Sequence, residues 1–166
     1  MSQERGQELP HLTQDGDVHM VRVSEKSDTV RRAVAEGRLV ARADVVDLVR
    51  QQAAPKGDVL ASARIAAIMA VKKTWEWIPL AHPLSISGVS CDIAVQEDGF
   101  YVSVSVETVG KTGVEMEALT GVSAALLTLY DMLKARDRSM TMGDIRLVCK
   151  SGGRSGDFRR GEGDQV

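Results

Sequence analysis

Two lysines stand just ahead of expected helix starts. Lys56 lies in the tight turn Pro55-Lys56-Gly57-Asp58. Backbone amides at a helix start favour anions, and a lysine there adds charge. On these residues alone Lys56 is either an anion ligand or a solvated loop lysine. Gly110-Lys111-Thr112-Gly113 precedes a second helix in the same way. There Thr112-Gly113-Val114-Glu115 fits a capping box, with Thr112 as cap and Glu115 reaching back. That gives Glu115 a structural reading, which does not extend to Glu117. At about 100° per residue, Glu117, Thr120, Ala124, Thr128 and Asp131 share one helix face, small and polar, with acids at its two ends. Their separation along the axis is about 21 Å. One small substrate cannot touch both acids of one helix, so they serve different ends of a long ligand, sites shared between subunits, or a solvated face. Asp131 and Lys134, three apart, form either a surface ion pair or an acid/base pair tuned by burial.

Four further groups stand on other segments. Arg64 falls within the expected apolar stripe of Leu60, Ala67, Ile68, Val71 and Trp75, where an arginine must snorkel, pair or bind an anion. His82 sits between Ala81 and Pro83, in a loop bracketed by Pro79 and Pro83. Lys150-Ser151-Gly152-Gly153-Arg154-Ser155-Gly156 has the composition of a phosphate cradle without the P-loop pattern. Together these pieces suggest a site for a polyanionic small molecule. They do not identify the reaction.

The elements that must position them can be read from periodicity. Val18 to Val23 and Gly37 to Ala41 are expected as short strands, and Asp44 to Gln52 as a short helix. Asp58 is a good N-cap for a long helix, Val59 to Trp77. Val89, Cys91, Ile93 and Val95 alternate, as do Phe100, Val102, Val104 and Val106, with the turn signal Asp98-Gly99 between them. Val114 to about Arg136 is expected as a second long helix with Leu119, Val122, Leu126, Leu129 and Leu133 on its core face. Ile145, Leu147 and Cys149 alternate in a last strand. From Gly37 onward, the short helix aside, the order is βαββαβ. That is an α+β fold of split, ferredoxin-like type, with two long helices on one face of an antiparallel sheet.

Composition sets the outer bounds. The chain has 166 residues, 43% hydrophobic and 27% charged, enough for one domain of about 15 Å radius of gyration. Residues 1–11 and 154–166 are expected as flexible tails around a single α+β domain, 12–153. No apolar run reaches the roughly 20 residues of a membrane helix, and the first ten residues lack the apolar stretch of a secretory signal. With 21 Lys+Arg against 23 Asp+Glu, the net charge of −2 gives no global pull on nucleic acid. The two cysteines and three histidines make no recognisable metal site. A cytoplasmic protein with no nucleic-acid or membrane partner is the expectation.

Several stretches together resemble the cyclic pyranopterin monophosphate synthases, the molybdenum-cofactor biosynthesis protein C family. They are Met20 to Lys26, Lys56-Gly57-Asp58-Val59, Ala63-Arg64-Ile65-Ala66, Ile78 to Leu84, Gly110 to Thr120, Tyr130-Asp131-Met132 with Lys134, and Lys150-Ser151-Gly152-Gly153. The resemblance runs from about Leu12 to Phe158. It implies an enzyme of the phosphorus-oxygen lyase class, acting on a cyclised, GTP-derived nucleoside triphosphate supplied by a radical enzyme. That substrate is rearranged to cyclic pyranopterin monophosphate with release of pyrophosphate. The resemblance further implies a ferredoxin-like subunit in a hexamer built from dimers, with sites at subunit interfaces.

Residue by residue, it makes Asp131 the active-site aspartate, with Lys56 and Lys134 as further catalytic groups. Leu80, Ala81, His82, Met116 and Glu117 would bind substrate. Arg64 and Lys150 are expected to contact phosphate, and Glu115 either binds the ring or only caps. Ala81 stands where the family usually has Cys, Arg22 where it has Asp, Ala67 where it has Gly and Leu133 where it has Cys. No tightly bound cofactor and no dedicated metal site are expected, and magnesium can accompany the triphosphate. The alternatives are a catalytically silent nucleotide-sensing module and a nucleic-acid-binding module of the same fold. The second is poorly served by Phe100 and Tyr101, adjacent and so on opposite faces.

Overall fold

A computed structural model describes residues 17–23 and 27–161. The elements are β1 (Thr29–Val40), α1 (Ala43–Arg50), α2 (Val59–Lys72), α3 (Thr74–Trp77), β2 (Ile86–Gln96), β3 (Gly99–Gly110), α4 (Glu115–Leu133), β4 (Thr141–Ser151) and β5 (Phe158–Arg159). All strand pairs are antiparallel, in the order β2-β3-β1-β4-β5. The two long helices pack on one face of the sheet, so the fold is α+β and ferredoxin-like.

The apolar alternation of β2 and β3 builds this sheet, and their hairpin turns through Glu97-Asp98, one residue ahead of the expected Asp98-Gly99, with Gly99 (φ +148°) opening β3 opposite Gln96. On the helix-facing side Leu39, Phe100, Val102, Val104 and Val106 are fully buried. Val122, Leu126, Leu129 and Leu133 of α4 pack down onto them, and Leu119 is half-buried. Burying each leucine contributes about 1.5–3 kcal/mol, which fixes the rotation of α4. Gly121 fits because α4 runs close to its neighbours. A Cβ there would lie 2.8 Å from Val71 Cγ2 and 3.0 Å from Val104 Cγ1.

Five further local expectations change. Val18–Val23 carries no strand, only an isolated bridge at Val18. β1 starts at Thr29, eight residues before the strand expected at Gly37. Its core-facing positions Ala33, Ala35 and Gly37 are small, so strand propensity under-reads it. The long first helix breaks at Lys73, and Thr74 turns its hydroxyl back to the Ala70 and Val71 carbonyls at 3.2 and 3.1 Å. The second long helix ends at Leu133 rather than near Arg136. Part of the stretch expected as a loose C-terminal tail, Phe158–Arg159, forms β5 against Lys150 and Cys149. There Arg160 N–H donates to the Val148 carbonyl at 2.8 Å. The N-terminal tail expected at 1–11 lies outside the described residues. Among the described residues no helix is long and apolar enough to cross a membrane.

Candidate active site

Asp58 caps α2 as its residue type suggests, accepting from Ala61 N–H at 2.9 Å. The preceding turn leaves Lys56 beside the last turn of α4. Lys56 Nζ donates to the Asp131 main-chain carbonyl at 2.9 Å and lies 3.5 Å from Asp131 Oδ2. Lys134 Nζ, one turn along α4, is 2.7 Å from Asp131 Oδ1. The hydrogen bond and charge of Lys134, with the nearby charge of Lys56, hold the Asp131 carboxyl below the usual carboxylate range. Asp131 remains exposed (60% of its side chain), and the group faces solvent.

The other end of α4 meets the His-Pro loop. The loop turns tightly after α3, with Ala81 N–H donating to the Ile78 carbonyl at 3.0 Å. Leu80, Ala81 and His82 line a cavity of about 790 Å³ with Glu115, Met116 and Glu117. Val18, Val21 and Val23 add a wall. This volume suits a nucleotide-sized ligand. Glu117 is only 4% exposed, and burial pushes its carboxyl up to about 7, with the charge of Glu115 adding to the rise. At neutral pH it is poised both to donate and to accept a proton.

A second cavity, about 590 Å³, shares Thr112, Gly113 and Glu115 with the first. It is basic, lined by Arg31, Lys111, Lys150 and Arg154. Arg31 Nε donates to the Gly110 carbonyl at 2.9 Å, which ties β1 to the end of β3. Lys150 Nζ lies 3.7 Å from Glu115 Oε1 and hydrogen-bonds the Ser155 hydroxyl. The capping box is absent. Val114, not Thr112, takes the N-cap position, and no side chain caps the helix. Glu115 instead turns toward Lys150, an ion pair to another strand that local spacing does not reveal.

The structure thus brings the expected residues into two groups. Lys56, Asp131 and Lys134 cluster at one end of α4. Leu80, Ala81, His82, Met116, Glu117 and Glu115 line one cavity at the other end, with Lys150 in the adjoining one. Between Glu117 and Asp131 the helix runs about 21 Å. Arg64 joins neither group. The buried stripe of α2 is Val59, Ala63, Ala67, Ala70 and Val71, and one step past Ala63 rotates Arg64 off it into exposure. It lines a separate cavity with Arg50 and Leu60. The expected solvated or small polar face of α4 is also mixed, since Glu117, Thr120 and Ala124 are buried and Asp131 is exposed. Arg31 is a charged lining residue that sequence reasoning does not mark. It lies ahead of the strand expected at Gly37, and full period-2 counting back through Ala33 would have placed it on β1. Among the described residues no cluster of three or more His, Cys, Asp or Glu could hold a metal ion.

Residues 20–153 match the MoaC family. A cyclic pyranopterin monophosphate synthase of Thermomicrobium roseum is 54% identical over 155 residues, covering 92% of this chain and 93% of that protein. One from a Roseiflexus species is 53% identical over 153 residues, covering 91% and 97%. One from Streptomyces griseus is 49% identical over 152 residues, covering 92% and 86%. With the match extending over most of its length, from Met20 to Gly153, the chain belongs to the MoaC family.

Proposed function

We propose that this chain is a lyase of molybdenum-cofactor biosynthesis that converts a cyclised, GTP-derived nucleoside triphosphate to cyclic pyranopterin monophosphate and pyrophosphate. Family membership and the activity for which relatives about 50% identical are named support the assignment. The observation that carries it is the Lys56–Asp131–Lys134 group, two ammonium ions gathered on one carboxylate.

The chemistry has two demands. Opening and reclosing the rings needs proton transfers. Forming the cyclic phosphate needs a substrate hydroxyl to attack the α-phosphorus while the bond to pyrophosphate breaks and the hydroxyl proton leaves. The apolar cavity takes the ring system, where Glu117 exchanges protons with ring nitrogens and His82 hydrogen-bonds the ligand. The basic cavity takes the phosphates, and Arg31, Lys111 and Lys150 offset the charge that develops on the leaving pyrophosphate. Asp131, ionised between its lysines, fixes Lys56 and Lys134, and these donate and accept protons at the reacting centre. Magnesium enters with the triphosphate as part of the substrate.

The two groups complete one site only across a subunit boundary. A two-fold axis across α4 near Ala124, midway between Glu117 and Asp131, brings Asp131 of one copy to Glu117 of the other and forms two equivalent sites. Such dimers would assemble into the hexamer, in the cytoplasm, downstream of the radical enzyme that supplies the substrate. The test is incubation of the purified chain with the cyclised nucleotide, measuring pyrophosphate and the cyclic monophosphate in equal amounts. Substrate binding without either product would favour the silent sensing module.

A further inference from the structure

We propose that Glu115 is a built-in competitor for Lys150, which weakens the hold of the basic cavity on polyphosphate and so speeds release of pyrophosphate. The inference rests on the reading that this cavity takes the phosphates. Among the described residues that line it, Glu115 carries the one carboxylate, set against Arg31, Lys111, Lys150 and Arg154. It faces a well-shielded partner, since the Lys150 side chain is only 17% exposed and Glu115 lies 3.7 Å from it. A carboxylate at that place repels any anion that approaches Lys150. It also takes over the ammonium when the anion leaves.

The lack of a side chain at Gly113 leaves room for Glu115 in this position. Its carboxylate occupies space that a Cβ at 113 would fill. It opens the first turn of α4, where the helix start favours a negative charge. Thr112, Gly113 and Glu115 also form the partition between the two cavities. The carboxylate therefore stands at the boundary between ring and phosphates, where a departing pyrophosphate must be exchanged for a protein anion. Tight phosphate binding that persists in the product slows turnover, because only interactions stronger in the transition state than in the bound ground states accelerate the reaction.

The test is titration calorimetry of the whole protein with inorganic pyrophosphate. Glu115→Gln keeps the shape and removes the charge. It is expected to bind pyrophosphate roughly twofold to fivefold more tightly than the unaltered protein, the scale of one partly exposed ion pair. Glu115→Ala, which removes the charge with different packing, is expected to shift the same way, so a folding defect in one variant leaves the other to decide. Lys150→Ala is expected to weaken binding. Unchanged or weaker binding in the folded Glu115 variants, with Lys150→Ala still weakened, overturns the competitor role while the phosphate reading stands. Indifference of pyrophosphate binding to Lys150→Ala overturns the phosphate reading itself, and the competitor role with it.

Discussion

Lys56 reaches from the turn before α2 to the last turns of α4, where its Nζ donates to the main-chain carbonyl of Asp131 at 2.9 Å. The bond goes to the backbone and the weaker contact, at 3.5 Å, to the carboxylate. Lys56 is thus anchored without consuming the Asp131 side chain, whose Oδ1 is left to Lys134 at 2.7 Å. Exposed ion pairs contribute little to stability. Three charged residues converging on an open surface are therefore better explained by what they meet there than by what they hold together.

Asp131→Asn tests that reading. The side chain is exposed, so the variant should fold with an unchanged melting temperature. The amide carries no charge to fix the two ammonium groups, and loss of a positioned acid/base array removes on the order of 100-fold to 10,000-fold in rate. Pyrophosphate release by the folded variant within a few-fold of the unaltered protein would remove Asp131 from the chemistry.

Glu117 should leave a mark on the pH dependence of stability. Its folded value of about 7 lies above the ordinary 4.5, so between these values the folded state binds more protons than the unfolded one. Stability from this group is therefore full at low pH and is lost as pH rises from about 4.5 through 7. Glu117→Gln lacks that loss. Urea midpoints at about pH 5 and pH 8 should differ less in the variant than in the unaltered protein. Equal differences in the two would mean that the carboxylate ionises freely.

Gly121 is where packing constrains α4 most directly. A Cβ there meets Val71 and Val104, which are 1% and 0% exposed and so cannot give easily. Alanine gains up to about 1 kcal/mol of helix propensity over glycine. Overpacking a closed core costs about 1–3 kcal/mol. Gly121→Ala is expected to lower stability on balance, by about 1 kcal/mol in chemical denaturation. A more stable variant would show that α2 shifts away at no cost.

The elements built from strong local signals were legible in the sequence: the β2–β3 hairpin, within one residue of Asp98-Gly99, the leucine face of α4 and the Asp58 cap. The first half of β1 was not, because its core-facing residues Ala33 and Ala35 are small, and only its end from Gly37, where a Cβ would meet Val122 and Leu126 of α4, was expected as strand. The break at Lys73 depends on Thr74 bonding back to its own helix, a choice that apolar periodicity does not carry. In the site, residue type marked Lys56, Asp131, Lys134 and His82, and helix spacing put Glu117 and Asp131 at opposite ends of α4. The same reasoning failed for Glu115, where an ion pair to β4 outcompeted the local cap. It failed for Arg64 too, since one residue of phase separates the buried stripe from solvent.

The separation of the two groups makes the final prediction. No motion within one chain closes about 21 Å along a continuous helix, and the proposed function therefore draws Lys56, Asp131 and Lys134 from one subunit and Glu117 from another. Lys56→Ala and Glu117→Ala should each be inactive alone. Mixed, dissociated and reassembled, they form hybrid dimers in which one of the two sites joins an intact Lys56 to an intact Glu117. Random pairing puts half the dimers in the hybrid form with one good site each, so about a quarter of full activity should return. Light scattering should show a mass well above 17.9 kDa before and after mixing. The doubly altered chain, Lys56→Ala with Glu117→Ala, mixed with unaltered chain gives hybrids with no restored pairing and serves as the control. Absence of any recovery in folded, oligomeric mixtures would mean that both residues act within one chain, and the shared-site geometry would fall.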